Sequence, residues 1–396
     1  MLILVSSQIH SDDTITAMTQ EYKQHKKIKV LLEKDVANAL LEIKGAYQVF
    51  DPYDNTRIGT GFLGKRFLVR PTNIGLKWGE EFVDIHQIHI IPKNRESILV
   101  NGIQYDGSVF IYKVGNKVSI INEIAIDDYL KSTLTRSFSH HLEKEVMAAI
   151  AIAARTTTYY HIDKNKDVYW HISANKYGYN GSALILKDSA IVSSIDATTN
   201  MIMLNANEGI NQPFIAYWNE NSGGKTAAFH NIYRKDSSAP KRGVVSDHAN
   251  LDREDSKWVS TFTKHQLSNL LKIGSIAKVE LFFDSNSSKA YGIRVTDLNN
   301  QNHDYDFKSF RSMLGKGKIL SNDLSVTLEN DYVKFVGFGK GLGVGLCLYS
   351  ASAMAQNGEM AIRILSKFYP ETFLINLTAL NQFKPLLQEK IDSPKL

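Results

Sequence analysis

The 396-residue sequence contains a single cysteine, Cys347. An intramolecular disulfide is therefore impossible, and so is a zinc site built on several thiolates. No run of about 18 apolar residues occurs, so no transmembrane helix is expected. Neither sign of charge dominates: 46 Lys and Arg against 41 Asp and Glu leave +5. A dense basic stripe with interleaved aromatics, the footprint of a nucleic-acid binder, is missing, although the mild excess would tolerate an anionic polymer. No period of 20–50 residues marks a repeat architecture. A hydrophobic content of 43% excludes global disorder, and the length suggests two to three domains.

What is present divides the chain. Met1-Leu-Ile-Leu-Val-Ser-Ser7 is an apolar start without a preceding basic residue. It is either the remnant of a signal peptide or an ordinary start. Residues 1–27 are thus read as signal remnant or linker, and 381–396 as a charged, frayed tail. Residues 28–120 are expected to be β-rich. Runs such as Ile28-Lys-Val-Leu-Leu32, Ala46-Tyr-Gln-Val-Phe50 and Ser108-Val-Phe-Ile-Tyr112 are short and rich in Val, Ile, Tyr and Phe. Asn101-Gly102 between two such runs reads as a hairpin turn. From 121 to 380 a mixed core is expected, making the chain α/β in the mixed α+β sense. Asp127 or Asp128 is expected to cap a helix ending near Ser137. A second helix is expected from Glu143 to Tyr160; its centre, Ala148-Ala-Ile-Ala-Ile-Ala-Ala154, is apolar nearly all round and must be buried. A third is expected over 187–198, strands at Met201–Leu204 and Pro213–Trp218, and charged loop over 225–258.

Several motifs carry chemical alternatives. Asn221-Ser-Gly-Gly-Lys-Thr226 resembles a phosphate loop, but the opening glycine that a nucleotide site needs is Asn219. What remains is a tight Ser-Gly-Gly turn bringing backbone amides close to something. Gly337-Phe-Gly-Lys-Gly341-Leu-Gly-Val-Gly345 has glycine at every second position. In an extended chain this makes a bare face, packed by another backbone or by a flat ligand. Arg155 leaves the apolar helix and needs a partner, either a salt bridge or an anionic or hydroxyl-rich ligand. His140-His141 with Glu143 and Glu145 lack HExxH spacing and are not expected to hold a metal. Cys347, among apolar neighbours, reads as a buried thiol.

Taken in order, these strings resemble the SpoIID/LytB family, sporulation stage II protein D and its relatives. The resemblance is colinear over about residues 28–376. It runs through Leu99-Val-Asn-Gly102, Tyr105-Asp-Gly107, Asp127-Asp-Tyr-Leu130 and the most specific string, Ala151-Ile-Ala-Ala-Arg-Thr156. It continues through Tyr179-Asn-Gly181, Ser222-Gly-Gly-x-Thr226, Gly341-x-Gly-Val-Gly345, Ala353-Met-Ala355 and Phe368-Tyr-Pro370. The resemblance implies cell-wall chemistry outside the cytoplasmic membrane. Relatives are lytic transglycosylases acting on peptidoglycan glycan strands, or enhancers of cell-wall amidases, in sporulation, division or turnover. The reaction uses one carboxylic acid, which protonates the glycosidic oxygen and then accepts a proton from the sugar's own hydroxymethyl group. By resemblance the substrate-binding residues are Arg155, Tyr179, Ser222, Gly223, Gly224, Thr226, Gly341 and Gly343, in a groove of the core.

The sequence departs from this pattern where the chemistry should lie. Counting back from Ala-Ala-Arg-Thr places Ser137 in the position of the family's Glu. Losing a positioned general acid costs about 10²–10⁴ in rate. Glu220, two residues before the turn, is the candidate substitute acid, and Glu143 a weaker one. The positions at which some relatives bind zinc read His171, Asn175, Lys176 and Ser222, so no metal or other cofactor is expected. Two readings follow: a protein that binds and cleaves glycan strands, or a non-catalytic binder that recruits an amidase or the division machinery.

Overall fold

The computed structural model describes residues 26–93, 97–138, 142–183, 185, 189–207, 210–234, 239–378 and 384–385. Expectations for residues 1–25, for His140 and His141, and for most of the tail lie outside them. The chain folds as a mixed α+β protein in two compact units: Met1–His141 with Thr157–Met201, and Leu142–Thr156 with Ile202–Leu396. No helix among the described residues is long and apolar enough to cross a membrane.

The first unit is built on two sheets. One has seven strands, in the order Ile172–Ser173, Lys27–Val36, Lys117–Ala125, Ser108–Val114, Gln87–Pro92, Tyr47–Phe50 and Arg57–Gly61. Only its first pair is parallel. The other has six antiparallel strands, in the order Ile103–Tyr105, Ile98–Val100, Ala39–Ile43, Lys65–Thr72, Gly75–Trp78 and Glu80–Val83. Alternation sets the faces: Ala39, Leu41 and Ile43 are buried, with Leu40 and Glu42 on the opposite face. The Asn101-Gly102 turn forms as expected, both residues at positive φ (51° and 83°), joining Val100 to Ile103. Trp78 is fully buried and donates from its indole N–H to the Leu41 carbonyl at 3.2 Å.

The helix from Ile126 to Ser137 starts earlier than expected. Ala125 occupies its N-cap without a side-chain bond, and Asp127 and Asp128 lie inside the first turn. They act there on the helix dipole rather than as caps. The second helix, Lys144–Lys164, is buried along Val146–Met147 and Ala149–Thr156, as its small apolar residues require. The third is shorter than expected, Ala190–Ala197; Lys187 and Asp188 lie outside the described residues.

The second unit carries two three-stranded sheets, Lys257–Thr263, Tyr332–Phe338, Leu324–Glu329 and Ile276–Phe283, Ala290–Asp297, Asn302–Asp306. Helices Lys264–Leu271 and Phe307–Leu314 pack with them around Phe262, Leu267, Phe307, Phe310 and Phe335. Thr263 and Gln266 form a capping box, and Asp306 caps the other helix by accepting from the Ser309 N–H at 2.9 Å. The expected strand over 213–218 is corrected: strands occupy Ile210–Gln212 and Trp218–Asn219, and of the expected run only Trp218 falls within a strand. Its partner, Leu346–Cys347, is two residues long, which limits the ladder. The segment 225–258 is also not all loop, for it holds helices Phe229–Tyr233 and Asp247–Leu251.

Candidate functional site

The Ser-Gly-Gly turn lies in the second unit, directly after strand Trp218–Asn219. Asn221 opens it by accepting the Gly223 N–H on its side-chain oxygen at 2.8 Å. Gly223 (φ 66°) and Gly224 (φ 111°) then take conformations that a side chain would strain. A Cβ on Gly223 would also meet the Asp323 carboxylate at 2.9 Å. The turn closes on Thr226, whose hydroxyl accepts the Val244 N–H at 2.9 Å.

Beneath the turn is a charged cluster that the sequence reading did not include. Lys289 donates to the Ser222 carbonyl and, at 2.8 Å, to Asp323 Oδ2. Arg253 grips the same carboxylate with two bonds, at 2.7 and 2.9 Å, and also donates to the Gly223 carbonyl. Burial pulls Lys289 below the ordinary lysine range, while Asp323 pulls the other way. The Ser222 N–H donates to Cys347 Sγ at 3.3 Å, so the single thiol is buried, as expected, and supports the turn from behind.

The glycine-rich segment corrects the expectation of one extended, bare face. The strand ends at Phe338, and Gly339, Gly341, Gly343 and Gly345 all have positive φ, between 62° and 123°. The reason is close packing against 217–223 and Lys289. A Cβ on Gly339 would lie 2.5 Å from the Asn221 carbonyl, and on Gly345 2.0 Å from that of Tyr217. On Gly341 it would strike Asn219 Cβ at 2.4 Å, and on Gly343 the Lys289 stem at 2.8 Å. Of the two sequence readings, packing by another backbone holds at Gly339 and Gly345, while Gly341 and Gly343 are packed by side chains.

Arg155 and Thr226 are almost fully enclosed, as are Ser222 and both turn glycines. What faces solvent is the rim. Glu220 is exposed and pairs with Lys340 at 2.6 Å, an ordinary surface ion pair. Its backbone carbonyl accepts the Tyr349 N–H at 2.9 Å, and the Tyr349 hydroxyl donates to Asp252 at 2.8 Å. That bond raises the Tyr349 phenol above its usual range, leaving an exposed ring with a firmly held proton. The rim therefore offers carboxylate acceptors, an ammonium donor and one open aromatic edge, the group types that pair with hydroxyls and amides. Tyr349, Asp252 and Lys340 were missed because residues 100 or so apart in sequence give no local signal.

Ser137, Tyr179 and His171 belong to the first unit. Ser137 is exposed, and its hydroxyl donates to the Thr133 carbonyl at 3.2 Å, one turn back on its own helix. Tyr179 is buried and donates to Asn122 Oδ1 at 2.6 Å, its ring flanked by Tyr105 and Tyr129 at 5.5 Å each. Burial holds it well above the usual phenol range. His171 accepts the Lys29 N–H at 3.0 Å on its Nδ1. In the second unit, Glu143 accepts from Gln356 at 2.6 Å.

Residues 114–204 match the sequence model of the Stage II sporulation protein family, SpoIID. An uncharacterised protein of Chlamydia pneumoniae is 32% identical over 200 residues, 50% of this chain and 72% of that protein. One of Chlamydia muridarum is 33% identical over 192 residues, 48% and 66% of the two chains. An uncharacterised protein of Brachyspira hyodysenteriae is 26% identical over 367 residues, 90% of this chain and 95% of its own length.

Proposed function

The chain belongs to the SpoIID family, which gives it a cell-wall-related role, and from that premise we propose that it binds peptidoglycan glycan strands outside the cytoplasmic membrane. The observation that carries this reading is the contrast between a rigid base and an open rim in the second unit. Lys289, Asp323 and Arg253 fix the Ser222–Gly224 backbone from inside. Glu220, Lys340, Tyr349 and Asp252 face outward from it or beside it. Preorganised polar groups around an aromatic edge suit a neutral, hydroxyl-rich polymer, because little ordering entropy remains to be lost on binding.

Cleavage would need a positioned general acid. By the resemblance the family's acid falls at Ser137, and a serine hydroxyl does not protonate a leaving oxygen near neutral pH. Glu220 is an open, ion-paired carboxylate rather than a shielded acid. A binder that recruits an amidase or the division machinery is the corresponding cellular role.

Purified, peptide-stripped glycan strands test the reading. The strands should co-sediment with the protein, and mass spectrometry should find no anhydro-terminated fragments. Tyr349→Ala with Glu220→Gln should weaken co-sedimentation roughly tenfold. Absence of any co-sedimentation by the wild-type chain would remove the proposal. Fragments abolished by Glu220→Gln would restore the transglycosylase reading.

A further inference from the structure

The first unit exposes a second surface, on the six-stranded sheet and unrelated to the turn. The chain passes from strand Arg57–Gly61 of one sheet to strand Lys65–Thr72 of the other through a corner, Phe62-Leu63-Gly64. Phe62 is 81% and Leu63 82% exposed, so two large apolar side chains stand in water at a tip where nothing in the fold uses them. Single exposed apolar residues are ordinary, but these are followed on the same strand by Phe67 and Leu68, each about half exposed. Phe67 and Leu68, with Leu40, line an open groove of about 630 Å³ whose remaining walls are Arg66, Arg70, Lys77 and Gly79.

The charge in this groove is arranged against the sheet's own interest. Arg70 and Lys77 are direct cross-strand partners, a like-charge pair that destabilises a sheet unless an anion lies between or above them. Lys44, exposed beside Gly64 at the foot of the corner, adds a cation outside the groove. The acids nearby are partly committed: Glu42 to Arg66 at 3.4 Å, and Glu80 to Lys65. Glu81 is a further carboxylate, opposite Lys77 on the next strand. The result is an apolar tip running into a cationic, partly apolar trough.

We propose that this surface docks on an anionic lipid bilayer, with Phe62 and Leu63 entering the interface and the Arg70–Lys77 pair meeting lipid phosphates. A soluble polyanion would satisfy the cations and leave the corner in water. A bilayer alone supplies both phases in the order the chain presents them.

Vesicle co-sedimentation of the full chain tests this. Vesicles of equal parts phosphatidylglycerol and phosphatidylcholine should retain the protein, with retention falling as salt rises, and pure phosphatidylcholine should retain little. Phe62→Ser with Leu63→Ser, at positions more than 80% exposed, should weaken binding roughly tenfold with an unchanged circular dichroism spectrum. Arg70→Gln with Lys77→Gln should do the same and flatten the salt dependence. No retention by the anionic vesicles overturns the proposal. So does retention that the Phe62 and Leu63 substitutions leave unchanged while soluble polyphosphate competes it away, the behaviour of a site for free polyanions.

Discussion

Lys289 lies under the backbone of Ser222, its ammonium shared between the Ser222 carbonyl and Asp323 with 1% of the side chain in contact with solvent. A lysine so enclosed persists because both partners are in place; neither alone would offset the loss of its hydration.

Lys289→Met should therefore be costly although methionine fits the stem. It leaves the Ser222 carbonyl without its buried donor and Asp323 with Arg253 alone. A loss of about 3 kcal/mol in urea denaturation is expected. A loss below about 1 kcal/mol would show that Arg253 suffices.

Gly345→Ala should be among the most damaging single substitutions in the second unit. Its Cβ would fall 2.0 Å from the Tyr217 carbonyl, at a φ of 74°. Gly358, with φ 86° and open space around it, is the control. Gly358→Ala should cost about 1 kcal/mol from backbone conformation alone, and Gly345→Ala at least about 2 kcal/mol more. Equal costs would mean that the backbone contact yields easily.

Stability should fall in mild acid through two histidines of the first unit. His89, stacked on Phe110 at 3.8 Å, and His161, bonded to the Tyr177 hydroxyl at 2.7 Å, are both held down to about 4, chiefly by burial. Unfolding returns each to about 6.5, so the unfolded chain binds the extra protons as pH falls. The contribution is complete above 6.5 and is lost progressively towards 4. Because each ring keeps some solvent contact, the slope stays below about 1.4 kcal/mol per pH unit for each. Thermal midpoints across this window should decline for the wild type and less for His89→Gln with His161→Gln. Parallel profiles would assign the acid sensitivity to other groups.

Tyr179→Phe should separate scaffold from site. It removes the donor to Asn122, whose own amide holds the carbonyls of Asp106 and Ser108 at 2.9 and 3.0 Å. A stability loss of about 1–3 kcal/mol with unchanged co-sedimentation on glycan strands is expected. Weakened binding at full stability would return Tyr179 to the ligand.

The elements legible in sequence were those whose signal is local. Residues 28–120 announced strands through alternation and Asn101-Gly102, and Ala148–Ala154 could form only a buried helix. The glycine-rich segment misled because period two suits both a flat strand and a row of left-handed turns, and contacts with 217–223 decide between them. Lys289 gave no sign because a lysine after Asn-Ser-Ser reads as solvated. Its burial depends on Asp323, and the pair needs the whole second unit to meet. Of the candidate site residues, the Ser222–Thr226 turn with Gly341 and Gly343 forms one packed assembly, while Ser137 and Tyr179 belong to the other unit.

The bond from the Ser222 amide to Cys347 spans 125 residues. Closing such a loop is slow and comes late, after the local hairpins and helices have formed. During synthesis the Ser222–Cys347 bond must wait until residue 347 has left the ribosome, so it forms only after both three-stranded sheets of the second unit have been made. In pulsed hydrogen exchange during refolding, the Ser222 amide should gain protection after those of strands Lys257–Thr263 and Tyr332–Phe338. Earlier protection would mean that the turn holds its shape without the glycines that press against it.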